Sequence, residues 1–115
     1  MSAKLTIRHS GDVAIVDISG RITLGEGSSA FHENMRSLMA EGHAKILVNM
    51  EGVTFMDSSG IGELVSGYVS VAHNHGKVKL SGLSKRIRDL LLVTRLYNVL
   101  DIYDSEADAL NSFAK

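Results

Sequence analysis

A chain of 115 residues, 44% of them hydrophobic, is long and apolar enough for one domain over residues 1–115 with a core of its own. Twelve basic against 13 acidic residues leave a net charge of −1, which excludes the electrostatic footprint of a nucleic-acid binder and a basic patch for anionic membranes. Zero cysteines exclude disulfides and thiolate metal sites, and 5% aromatic residues without tryptophan argue against a base- or sugar-stacking surface. No apolar run is long enough to span a bilayer, and Met1-Ser2-Ala3-Lys4 leads into a strand pattern instead of a signal peptide, so a cytoplasmic protein is expected.

Leu5–His9 alternates apolar and polar, turns at Ser10-Gly11-Asp12 and resumes as Val13–Ser19, which predicts a hairpin or paired edge strands, the second ending at Gly20. Gly25–Ser29 precedes a helical pattern in which Phe31, Met35, Leu38 and Met39 share one face, and Gly42 is a suitable stop. Lys45–Asn49 is a short apolar run of the kind buried on both faces, and Gly52-Val53-Thr54-Phe55 follows as a connection. A second helix is predicted from near Ser59 to the His75-Gly76 pair, with Ile61, Leu64, Val65, Tyr68, Val69 and Ala72 on its apolar side. Lys77–Ser81 alternates as a strand, and Ser84 can cap a third helix carrying Ile87, Leu90, Leu91 and Leu92. Leu100–Tyr103 forms a last strand, and Ser105 with Asp108 resembles a capping box opening a last helix. The order ββαβαβαβα predicts an α/β fold with about four helices, right-handed crossovers and a mixed, mostly parallel sheet.

The segment Met56-Asp57-Ser58-Ser59-Gly60-Ile61-Gly62 sits between the buried strand and the second helix. Two adjacent hydroxyls therefore lie where backbone N–H groups are unpaired and the helix dipole is positive, a place suited to a phosphate, bound or attached to a serine. A hydrolase reading is weak, because the G-x-S-x-G elbow is absent and no histidine is placed for a triad. A nucleotide loop is weak too, since Gly60-Ile61-Gly62 lacks the Walker lysine and the full dinucleotide fingerprint. The plainest alternative is that Ser58 or Ser59 caps the helix and the glycines permit tight packing.

The run from Ile46 through Asp57-Ser58-Ser59-Gly60 to Leu64 closely resembles the signature of STAS domains, and within them the bacterial anti-sigma factor antagonists. The likeness extends to the Ser19-Gly20-Arg21-Ile22-Thr23 strand end and the closing helix. It implies a non-enzymatic binding module without a cofactor, a monomer or weak homodimer. Its expected partner is an anti-sigma factor that is also a serine kinase, and its binding frees a sigma factor. By the same resemblance Ser58 is the phosphorylated serine and a PP2C-type phosphatase resets it. The implied partner surface comprises Thr23, Asp57, Ser58, Ser59, Gly60, Ile61, Gly62 and Glu63, with Ser66 and Gly67 as exposed neighbours. Thr23 and Asn49 stand where family members commonly carry aspartate, which removes negative charge near the serine loop. Alternatives are a STAS subunit of an ABC-type transporter or signalling complex without serine phosphorylation, and a small-anion binder using the helix start.

Other residues carry plainer expectations. His73 and His75 close a helix without a third ligand nearby and read as surface residues, not a metal site. Lys85, Arg86 and Arg88 read as the solvated face of the third helix, and Met35, Met39, Met50 and Met56 as core filler.

Overall fold

A computed structural model describes residues 3–23, 26–96 and 100–114. Five strands form one sheet in the order β1-β2-β3-β4-β5, in the chain order ββαβαβαβα expected from the sequence. Strand β1 (Lys4–Ser10) returns antiparallel as β2 (Val13–Ile22) through the two-residue turn Gly11-Asp12. Strands β3 (Lys45–Met56), β4 (Lys77–Ser81) and β5 (Ile102–Tyr103) all add in parallel. Helices α1 (Glu26–Ala40), α2 (Ser58–His73) and α3 (Lys85–Val93) supply the crossovers, and α4 (Glu106–Phe113) follows β5. Gly42, at φ +87°, ends α1 as its position suggested.

The alternation of side chains explains how one sheet holds two cores. Ala14, Val16 and Ile18 of β2 and Ile46, Val48 and Met50 of β3 face α1, α2 and α3, where Phe31, Met35, Ile61, Leu64, Ile87 and Leu91 close a large cluster. Val13, Ile15 and Leu47 point to the opposite face and meet Ala109 and Phe113 of α4. The central strand is thus covered on both sides, as its unbroken apolar run implied.

Several boundaries differ from the sequence reading. Gly25 and the opening Met1-Ser2 fall outside the described residues, whereas Glu26–Ser29, expected to precede α1, already belong to it. Leu100 and Asp101 lie outside β5, which is only two residues long. Leu92 is 52% exposed, because α3 needs only Ile87 and Leu91, one turn apart, to reach the sheet. Most consequentially, β3 does not stop at Asn49. It runs on to Met56 beside Ser19–Ile22. Its pairing with β2 is irregular at two places: Asp17 and Ser19 face Asn49 and Gly52, and Gly20 and Arg21 face Val53 and Phe55. Each step inserts one extra residue on β3, a β-bulge. Its inward residues are consequently Met50, Val53 and Met56, three apart, a spacing that no period-two pattern reveals.

Helix α2 is rolled away from the face expected of it. Its buried residues are Gly60, Ile61, Leu64, Gly67 and Val71, while Val69 is 56% exposed and Ala72 is also exposed. Gly67, expected on the surface, instead faces α1, and a Cβ there would lie 3.2 Å from Phe31 Cε2. Two glycines on one face let α2 approach its neighbours more closely than any side chain would allow, so the helix seats on its smallest residues.

On the α4 side a polar network ties three strands to the last helix. Arg8 donates through Nε to Asp17 Oδ2, and its Nη2 reaches Asp17 Oδ1 (2.8 Å) and Glu106 Oε1 (2.6 Å). Asn49 Nδ2 donates to Asp17 Oδ1 at 3.0 Å, and its Oδ1 accepts from the Glu51 backbone N–H at 3.0 Å. Farther in, Lys79 is buried between the Tyr103 and Phe113 rings and donates to Tyr103 Oη (3.1 Å) and Ser112 Oγ (2.7 Å). Hydrogen bonding by Arg8 holds the Asp17 carboxyl below the usual carboxylate range. That stabilisation is present above the unfolded carboxylate value near 4 and is lost as pH falls through the lower folded value. Arg8→Met is therefore expected to cost about 1 kcal/mol at pH 7, as exposed ion-pair networks do, with the deficit shrinking below about pH 4. Urea denaturation of both proteins across pH 2.5–7.5 checks it, and a deficit independent of pH would contradict the assignment.

Candidate functional site

The site is built where the extended β2–β3 pair hands the chain to α2. Ile22 pairs with Met56, and the Asp57 backbone N–H donates to the Ile22 carbonyl at 3.3 Å. Asp57 then leaves the strand in an extended conformation (φ −105°, ψ −174°) and caps α2, its Oδ1 accepting from the Gly60 N–H at 2.9 Å. Asp57 rather than Ser58 or Ser59 is thus the capping residue, and the helix begins one residue earlier than expected. An Asp at this position accepts from the third helical N–H in the ordinary way, so the signal was present in Asp57-Ser58-Ser59-Gly60 but masked by the neighbouring serines.

This division of labour leaves Ser58 free of the cap. It is the first residue of α2, exposed, at the positive end of the helix dipole and next in the chain to the capping Asp57. Ser59 is half-buried. Gly60 is buried, and a Cβ on it would fall 2.4 Å from the Ile22 carbonyl oxygen and 2.8 Å from Met56 Cγ. No side chain fits there, so Gly60 lets the helix start press directly on the end of β2. Ile61 is buried in the core, so Gly60 and Ile61 shape the site from within without presenting a surface. Gly62 is exposed with open space around it. Glu63 reaches across to α1, its Oε2 lying 3.2 Å from His32 Nδ1, a partner that sequence reading did not identify. Thr23, half-buried, directly follows Ile22 and so lies alongside the Asp57 turn.

Asn49 is not part of this constellation. It lies on the α4 face among Asp17 and Glu106, roughly 20 Å of strand from Met56 at about 3.3 Å per residue. Its amide is the donor that two carboxylates need, so an aspartate there would add a third like charge to the network, not a charge to the serine loop. His73 and His75 are both exposed at the far end of α2. Lys85 and Arg86 are exposed on α3, while Arg88 is half-buried and pairs with Asp104. No helix among the described residues is long and apolar enough to cross a membrane.

The fold and this capped helix start define a small α/β module with an exposed serine hydroxyl at the end of a strand. Residues 4–109 match the STAS domain family model, and the chain belongs to that family. It is 24% identical to the anti-sigma F factor antagonist of Paenibacillus polymyxa over 96% of this chain and 94% of that one. Among solved structures it is similar to a putative anti-sigma factor antagonist from Thermotoga maritima, with a TM-score of 0.89 and 20% identity over 96% and 95% of the two chains. It is also similar to SpoIIAA, a Bacillus cell fate determinant whose phosphorylated form has been solved, with a TM-score of 0.73 and 17% identity over 96% and 99%.

The cap assignment separates two neighbouring substitutions. Asp57→Ala is expected to cost about 1 kcal/mol through loss of the cap, and Ser58→Ala less than about 0.5 kcal/mol as an exposed change. Gly60→Ala is expected to cost roughly 2–3 kcal/mol, since the added methyl meets backbone that cannot step aside. Thermal denaturation of the three variants tests the ranking, and a Ser58→Ala loss equal to that of Asp57→Ala would move the capping role to Ser58.

Proposed function

We propose that this chain is an anti-sigma factor antagonist that works by binding, not by catalysis, with Ser58 as its switch. Unphosphorylated, it binds an anti-sigma factor that is also a serine kinase and so frees a sigma factor in the cytoplasm. The kinase transfers the γ-phosphoryl group of ATP to Ser58 Oγ, and a PP2C-type phosphatase removes it. The observation that carries this reading is that Ser58 is exposed at the first position of α2 while Asp57 does the capping, so modification disturbs no structural hydrogen bond of the cap. The partner surface combines Ser58 with Asp57, Ser59, Gly62, Glu63 and Thr23, resting on Gly60 and Ile61.

The energetics favour a switch at the interface over one in the fold. A phosphate adds about −1.5 to −2 charges. At a helix N-terminus it is favoured by about 0.3–1 kcal/mol, which leaves the domain intact. Against a partner, a desolvated phosphate next to the Asp57 carboxylate is repelled and poorly compensated. A penalty of ~3 kcal/mol already weakens binding more than a hundredfold.

Ser58→Glu is accordingly expected to melt within a few degrees of the parent chain yet lose the partner, whereas Ser58→Ala retains it. Pull-downs from native lysate with both baits, read by mass spectrometry, check this. Capture of a kinase-like anti-sigma factor by the Ala form alone supports the switch. Capture of the same transporter ATPase or scaffold by both forms would overturn it.

A further inference from the structure

Strand β1 is an open edge of the sheet. It has β2 on one side and, among the described residues, no strand on the other. Its pairing with β2 runs unbroken from Lys4 opposite Ser19 to Ser10 opposite Val13. Every second residue of such an edge turns its backbone N–H and C=O outward, and among the described residues no backbone hydrogen bond outside the ladder reaches residues 4–10. The other edge strand, β5, has only two residues. Proteins commonly protect a long edge with a proline, a bulge or a covering loop. This chain has no proline, the β1–β2 register has no bulge, and six of the seven β1 residues are exposed.

The middle of the edge is apolar. Ile7, 36% exposed, stands opposite Val16, and Leu5 stands opposite Ile18. Val16 and Ile18 belong to the larger core, so Leu5 and Ile7 share its face and carry that apolar layer to the rim of the sheet.

The sequence of the edge selects an occupant. When two copies of one strand pair antiparallel about a two-fold axis normal to the sheet, opposite residues share a face, so the axis passes through a residue. With the axis at Thr6, Lys4 stands opposite Arg8, and with the axis at Arg8 two arginines meet. Like charges directly opposite each other are unfavourable. With the axis at Ile7 the pairs are Lys4 with Ser10, Leu5 with His9, Thr6 with Arg8, and Ile7 with itself. No like charges are then directly opposed, and this is the one register that overlaps all seven residues. It also sets the exposed Ile7 of each copy against the other. Each Arg8 is already paired within its own copy to Asp17 and Glu106.

We propose that this chain forms a two-fold homodimer by antiparallel pairing of β1 with β1, centred on Ile7, into one continuous sheet with five strands from each copy. A contact between two seven-residue strands falls at the low end of specific interfaces, below about 1,200 Å² in total, so the dimer is weak and concentration-dependent. Pairing leaves Ser58 uncovered, because β1 reaches only to Ser19 of β2 whereas the Asp57 turn adjoins Ile22. As the two β1 strands run in opposite directions, the two serine sites lie at opposite ends of the dimer.

Sedimentation of the full chain from about 10 µM to about 1 mM is expected to show a reversible monomer–dimer equilibrium. Ile7→Lys sets two like charges against each other on the axis. It is expected to weaken the dimer by about tenfold or more while melting close to the parent chain, since Ile7 lies at the exposed edge. Because the chain has no cysteine, a single introduced thiol reports the register. Under mild oxidation Ile7→Cys is expected to cross-link at least about tenfold faster than Thr6→Cys, whose two copies would be offset along the strands beyond the roughly 7 Å Cα reach of a disulfide. A chain that stays monomeric over this range, a dimer indifferent to Ile7→Lys, or equal cross-linking of the two cysteine variants would overturn the proposal. So would protection of the outward-facing β1 amides from hydrogen exchange in the dilute monomer, because another segment of the chain would then cover the edge. These readouts use no Ser58 variant, so failure here leaves the serine switch standing, and failure of the switch leaves the dimer standing.

Discussion

The Ile22 carbonyl is the fixed point of this structure. It accepts from the Asp57 N–H, and it lies where a Cβ on Gly60 would be. A strand end and a helix start are thereby pressed together at van der Waals distance, and the turn between them has no room to rearrange. Asp57 is locked into an extended conformation that aims its carboxylate at the Gly60 N–H, and Ser58 is left pointing outward by the same geometry. The site rests on closely packed backbone, which suits the serine switch proposed above, a change of charge without a change of shape.

Much of the architecture was legible from local pattern. The unbroken apolar run Ile46–Val48 announced a strand covered on both faces, Ser84 and Ser105 announced helix caps, and the hairpin turn at Gly11-Asp12 was plain. What remained hidden depends on three-dimensional crowding. The end of β3 escaped notice because its bulges break the alternation by which strands are read. The seating of α2 escaped because hydrophobicity locates an apolar face, whereas here Gly60 and Gly67 set the roll of the helix by allowing contact. The candidate site was legible as a segment, since Asp-Ser-Ser-Gly after a strand is distinctive. The roles inside it were not, because three neighbouring residues could each have capped the helix and only backbone geometry assigns the task. Asn49 was misplaced for a related reason: a motif is contiguous in sequence while the two faces of a strand are not.

The sheet divides its duties by face. On the α4 side, Arg8, Asp17, Asn49, Glu106 and Lys79 make contacts that are polar yet internal to the domain. Toward the other helices the packing is apolar, and Ser58 is exposed at the strand end beyond it. Charge is thus used for cohesion on the α4 side of the sheet.

Parity accounts for β3 carrying two bulges in place of one. A single inserted residue turns every following side chain to the other side of the sheet, which would carry Met56 and the start of α2 toward α4. The second insertion cancels the first. Met56 comes back to the layer of Met50, and α2 descends on the same side as α1 and α3. The pair of irregularities lengthens the strand on one edge without changing its handedness of address, curling the ribbon while preserving which layer its helix joins. Insertions at this strand end are therefore subject to an arithmetic of evens and odds, in which two extra residues are a smaller perturbation than one.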